Sequence, residues 1–120
     1  MELSAHEFNG HPFVEGPRGH AFLTKPDEAT WLLEACYAHN AARLLLYPEN
    51  LTPHFFDLSS GEAGAVLQKL RNYQVRLAIV RTPALQMSSR FGELLIDEQR
   101  GPWLRLCDDR DTAQAWLCTA

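Results

Sequence analysis

The chain lacks a cysteine pair: Cys36, Cys107 and Cys118 are an odd set with no C-x-x-C spacing. They fit neither a closed disulfide framework nor a tetrahedral zinc site, and they point to a reducing compartment. Cys36 falls on a predicted apolar helix face and Cys107 in a predicted strand, positions of packing rather than nucleophilic chemistry, whereas Cys118 near the C-terminus is expected as an exposed thiol. No apolar run approaches membrane-spanning length. The start, Met1-Glu2-Leu3-Ser4-Ala5-His6-Glu7, has neither the basic opening nor the apolar stretch of a secretory signal. A cytoplasmic protein without membrane contact is expected.

Positive charge is also scarce, with 11 Lys and Arg against 15 Asp and Glu and a net charge of −4. That balance argues against a nucleic-acid binder, which concentrates basic residues on one face. Arg71, Arg76, Arg81, Arg90, Arg100, Arg105 and Arg110 are spread over several predicted elements, so a solvated surface is expected of them. There is no G-x-G-x-x-G and no P-loop lysine, so no nucleotide cofactor is expected. His6, His11 and His20 lack partnering cysteines or helical spacing and read as surface histidines, with no metal site. No repeat, linker or low-complexity tract divides the 120 residues, a length suited to one core.

What is present is an alternation of strand and helix patterns. Asn9-Gly10 is a hairpin signal between strands near Leu3–Phe8 and Pro12–Glu15, and a third short strand is expected at Ala21–Leu23. Thr24-Lys25-Pro26-Asp27 opens a helix to about His39, with Ala29, Leu32, Leu33, Cys36 and Tyr37 on its apolar face. Arg43–Tyr47 reads as a buried strand stopped by Pro48. A loop to Leu58 leads to a helix starting at Ser59 or Ser60 with Ala63, Val66, Leu67, Leu70 and Tyr73 inward. Val75–Arg81 carries the continuous apolar run of a central parallel strand. Ser88-Ser89 opens a third helix, with Phe91, Leu94 and Leu95 inward and Gly101 as its stop. A strand Trp103–Cys107 and a short helix with Ala113, Trp116 and Leu117 complete the chain. The expected fold is α/β, a single domain with a mixed, mostly parallel sheet of about five strands and about four helices joined by right-handed crossovers.

Chemistry concentrates between Glu49 and Gly64. Ser59-Ser60-Gly61 falls at a helix N-terminus, where free N–H groups and the positive dipole end favour an oxyanion or a phosphorylated hydroxyl. The plainer role for Ser59 or Ser60 is an N-cap, with Glu62 closing a capping box from Ser59. Phe55 and Phe56 either form an exposed partner patch or divide between core and loop, and Asp57 caps the helix or holds the loop. His54, Asp57 and Ser60 are the residue types of a hydrolase triad. A short segment entering one helix rarely converges them beside an oxyanion hole, so no enzyme is expected.

Glu49-Asn50-Leu51, Pro53, Phe55-Phe56-Asp57-Leu58, Gly61, Ala63-Gly64, Leu67-Gln68-Lys69, Asn72-Tyr73 and Leu77-Ala78-Ile79-Val80 together resemble the signature of the bacterial domain-of-unknown-function family 4180. The likeness is dense from Arg43 to Val80 and weaker over nearly all the rest. The family name implies no activity. The layout is also similar to that of sulfate-transporter and anti-sigma-factor-antagonist (STAS) domains, a resemblance that implies a STAS-like fold and places Ser60, before Gly61, at a phosphoacceptor position. The expected function is that of a cytoplasmic regulatory or protein-interaction domain. Its switch or partner surface comprises Glu49, Asn50, Phe55, Phe56, Asp57, Ser59, Ser60 and Gly61, and its partner is another protein. The alternative is a domain that binds a small molecule or anion at the same helix terminus.

Overall fold

The computed structural model describes residues 3–16, 29–51, 62–82, 85 and 88–118. Within them lie five strands, β1 (Ser4–Phe8), β2 (His11–Glu15), β3 (Arg43–Leu46), β4 (Arg76–Val80) and β5 (Leu104–Cys107). Four α-helices accompany them: α1 (Ala29–Ala38), α2 (Glu62–Asn72), α3 (Ser89–Glu98) and α4 (Arg110–Leu117). The expected strand at Ala21–Leu23, the helix start at Thr24–Asp27, the serine start of α2 and the inward placing of Ala29 and Ala63 lie outside what is described. Among the described residues no helix is long and apolar enough to cross a membrane.

The hairpin forms where Asn9-Gly10 predicts it. Both residues have positive φ, 53° and 79°, the geometry of a two-residue turn whose twist matches the flanking strands. Beyond it every strand pairing among the described residues is parallel, and the sheet runs in strict chain order, β1-β2-β3-β4-β5. Sequential parallel strands joined by crossovers of one hand place all the connecting helices on one face. Leu32 and Cys36 of α1, Val66, Leu67 and Leu70 of α2, and Phe91 and Leu95 of α3 accordingly share one buried cluster with Val14, Leu44, Leu46, Leu77, Ile79 and Leu104. The alternate strand residues, Phe13, Leu45, Ala78, Val80 and Cys107, face the other way and pack with Tyr47 against Ala113 and Leu117 of α4. The period of two along each strand thus explains why the runs Leu44–Leu46 and Leu77–Val80 are continuously apolar: both faces are covered.

Three expected placements are corrected. Tyr37 is 89% exposed, because the buried stripe of α1 runs through Leu32 and Cys36, and a residue one step beyond Cys36 points about 100° away from it. Tyr73 is 67% exposed because α2 has already ended. Gln74 takes a left-handed φ of 58°, and the next N–H, of Val75, bonds back to the Leu70 carbonyl at 2.9 Å. Asn40 (φ 57°) closes α1 in the same way, with Ala41 N–H on Cys36 O at 2.8 Å, so neither helix stops at a glycine. Cys118 is buried rather than exposed, tucked under α4 with its Sγ 3.8 Å from the His11 carbonyl.

Ser88 caps α3 as its sequence position predicts, its Oγ accepting from Phe91 N–H at 3.1 Å. Ser88→Ala is expected to cost about 1 kcal/mol, read as a lower urea midpoint with an unchanged m-value.

Candidate functional site

The carboxyl ends of β2, β3, β4 and β5 lie along one edge of the sheet. The segment that the sequence singles out leaves the sheet here, directly after β3, through a one-turn 3₁₀ helix at Pro48–Asn50.

Asn50 seats that departure. Its side-chain Oδ1 accepts from Tyr47 N–H at 2.8 Å while its own N–H donates to the Tyr47 carbonyl at 2.9 Å, so the turn is closed from both sides. The residue is fully buried, the only polar or charged one among those described. It sits against Gly16, which continues β2 by donating its N–H to Leu45 O at 2.9 Å. A Cβ on Gly16 would lie 2.2 Å from Asn50 Oδ1 and 2.8 Å from its Cγ. Gly16 therefore lets the buried amide fit between the ends of two strands. Because the Asn50 side chain faces inward, its part in any partner surface is to set the shape of the turn.

Beside this seat lies a polar cluster drawn from four elements. Glu15, at the end of β2, receives Arg110 Nη2 on Oε1 at 2.8 Å and Arg110 Nε on both oxygens at 3.1 Å. Tyr47 O–H donates to Oε2 at 2.5 Å, and His6 Nε2 of β1 stands 3.3 Å from Oε1. Phe13 lies beneath, stacked with His6 at 5.4 Å and with the Arg110 guanidinium 6.0 Å above its ring. Burial alone would raise the Glu15 carboxyl. The hydrogen bonds from Arg110 and Tyr47 and the charges of Arg110 and His6 outweigh it and hold the group below the ordinary carboxylate range. A carboxylate so held, with donors on both oxygens, locks the α4 start to the ends of β2 and β3.

Glu49 stands between Pro48 and Asn50 with its Oε1 buried and without a hydrogen-bond donor. Phe55, Phe56, Asp57, Ser59, Ser60 and Gly61 lie outside the described residues. The structure thus brings Glu49 and Asn50 together with Glu15, Gly16, Tyr47 and Arg110, none of which the sequence marked as site residues. Glu15 and Arg110 are 95 positions apart, and nothing local to either announces the other.

The thiols are not placed for nucleophilic chemistry. Burial pushes Cys36 up to about 12 and Cys107 up to about 11, and raises Cys118 as well. No group of three or more potential metal ligands occurs among the described residues.

A family model described as a domain of unknown function (DUF4180) matches residues 8–117. The chain belongs to the DUF4180 family. The match takes in the hairpin turn, all the parallel strands and all four helices, so in this DUF4180 domain the carboxyl edge and the face covered by α4 are both family territory. No curated protein and no solved structure matches the chain.

Proposed function

We propose that this DUF4180 domain is a cytoplasmic regulatory module that engages another protein through the segment from Glu49 to Gly61 and the start of α2, with Ser60 as its charge-sensitive point. The observation that carries this reading is Glu49 Oε1, a buried carboxylate oxygen with no donor, at the root of the segment. An unpaired buried acceptor costs about 1–3 kcal/mol, and a binding event that supplies a donor or reopens the turn recovers it. Asn50 and Gly16 hold that root in one place. Phosphorylation of Ser60 would add about 1.5 to 2 negative charges at a helix N-terminus, which accommodates them while changing the surface offered to a partner.

The test is an affinity capture from native-host lysate with wild type, Ser60→Asp and Phe55→Ala, each first shown to be folded by its melting curve. A protein retained by wild type and lost or reduced at least tenfold with both variants supports the reading. Equal retention by all three removes this segment from the interface. A melting shift with an anionic metabolite, abolished by Ser60→Asp and unaccompanied by any retained protein, replaces the protein partner by a ligand.

A further inference from the structure

The two outer strands of the sheet, β1 and β5, differ in what lies along their outer sides. Trp103 and Cys107 turn their carbonyls toward β4, accepting from Leu77 N–H at 2.9 Å and Arg81 N–H at 2.7 Å, so Leu106 points its N–H away from the sheet. That N–H donates to the side-chain Oε1 of Gln99, the residue that ends α3, at 3.1 Å. The β5 side is thus plugged by a side chain. Among the described residues nothing does the same for β1, which pairs with β2 alone and has four of its five residues exposed.

Phe8 stands opposite His11 across the two-residue turn, so these two exchange backbone bonds, and the N–H and C=O groups along β1 then alternate in direction. Ser4, His6 and Phe8 bond to β2, while Leu3, Ala5 and Glu7 turn their backbone groups outward. Pro12, with no N–H to give, accordingly stands opposite Glu7. Monomeric sheets blunt such an edge with proline, lysine, a bulge or a cover. The strand Ser-Ala-His-Glu-Phe has no proline or lysine, its register with β2 is one to one without a bulge, and its one fixed charge is Glu7.

We propose that β1 is a homodimer edge, which pairs antiparallel with β1 of a second copy about a two-fold axis at Ala5 and joins the two sheets into one. The strand is complementary to itself in this register. Ala5 meets its own copy and Leu3 meets Glu7 of the second copy, so all three outward-facing residues gain backbone partners and the two Glu7 carboxylates stay apart. Ser4 meets His6 of the second copy, and these are the hydroxyl and imidazole that already stand 3.1 Å apart within one chain. An axis at Glu7 would oppose two carboxylates and an axis at His6 two imidazoles, and each would leave Leu3 beyond the paired strand. The edge includes no part of the Glu49–Gly61 segment and stands independently of the function proposed above.

A strand this short buries less than the roughly 1,000 Å² of a lasting interface, so a dissociation constant on the order of 100 μM is expected. The test is sedimentation equilibrium of the full chain together with amide hydrogen exchange by NMR at low micromolar and at low millimolar concentration. A monomer–dimer equilibrium is expected, with the Ala5 and Glu7 amides exchanging at least threefold more slowly in the concentrated sample and the His6 and Phe8 amides, already bonded to β2, little changed. Ala5→Pro removes an outward N–H, and Ala5→Lys sets two ammonium groups face to face at the axis from an exposed position. Each should weaken the dimer at least tenfold while the melting temperature of the monomer stays near that of wild type. A chain that is monomeric at millimolar concentration, a dimer whose Ala5 and Glu7 amides exchange as in the monomer, or a folded Ala5→Lys that dimerises like wild type overturns the proposal. Protection of the same amides in a monomeric chain only after addition of native-host lysate replaces the second copy by a foreign strand.

Discussion

Gly16→Ala is expected to be among the most damaging small substitutions in this domain. The added methyl carbon would sit 2.2 Å from Asn50 Oδ1 and 3.0 Å from Leu46 Cδ2, inside van der Waals contact on two sides. The neighbour that must give way is itself fully buried and holds Tyr47 N–H at 2.8 Å, so relief of the clash breaks that hydrogen bond and strands a buried donor. Overpacking costs about 1–3 kcal/mol and an orphaned buried N–H about as much again, which together put the loss at roughly 3 kcal/mol or more. For a domain whose stability is on the order of 5–15 kcal/mol, that is a large fraction. Urea denaturation measures it. A loss below about 1 kcal/mol would show that the Asn50 seat is looser than its geometry implies. Because the same movement shifts the root of the Glu49–Gly61 segment, the variant should also reduce partner capture, even at temperatures where it is fully folded.

Glu15→Gln is expected to cost about 3 kcal/mol at neutral pH. The glutamine keeps the volume but removes the charge that Arg110 faces, and it presents an amide N–H₂ toward either the guanidinium or the Tyr47 hydroxyl. Removing one member of a buried ion pair costs about 3–5 kcal/mol, and no more than the lower end applies because this pair is only part-buried, with 27% of the Arg110 side-chain surface exposed. The same residue makes a pH prediction. The Glu15 carboxyl titrates below its ordinary value of 4.5 in the folded protein, so the folded state binds the proton more weakly than the unfolded chain does. Its contribution to stability is therefore present above about pH 4.5 and is lost as the pH falls through the lower folded value. Denaturation profiles between pH 7 and pH 3 should show wild type losing stability more steeply than Glu15→Gln at the acid end, with the two curves converging. Parallel curves would mean that the carboxylate gains nothing from its partners. A double-mutant cycle with Arg110→Met separates the pairing from the packing of Arg110 over Phe13.

Most of the fold is legible in the residues because its causes are local. Asn9-Gly10 alone identifies the hairpin, since few residues accept two successive positive φ values. The continuous runs at Leu44–Leu46 and Leu77–Val80 mark strands covered on both faces, and Ser88 marks a helix start. The misplaced residues fail for equally specific reasons. Tyr73 continues the apolar spacing of α2, but the helix ends in a left-handed Gln74 that carries no glycine signal. Cys118 lies near the end of the chain, where exposure is the usual expectation, but α4 folds back over the sheet and buries it.

The site is legible only in part. Glu49 and Asn50 stand out by their place in the family-like segment, whereas Gly16 reads in sequence simply as a breaker after a strand. The demand for a bare Cα there comes from an amide 34 positions later, which the parallel pairing of β2 and β3 brings alongside.

Periodicity, turn chemistry and capping act within a few residues, so the amino-acid sequence by itself determined the order of strands and helices, the hairpin, the two-sided core and the family. Which polar residues meet was decided only in three dimensions. Glu15 with Arg110 and Gly16 with Asn50 each join different elements. A charged or small side chain at a strand end has the same local preferences whether it faces water or a distant partner. The strand order and the return of α4 across the second face supply the partner.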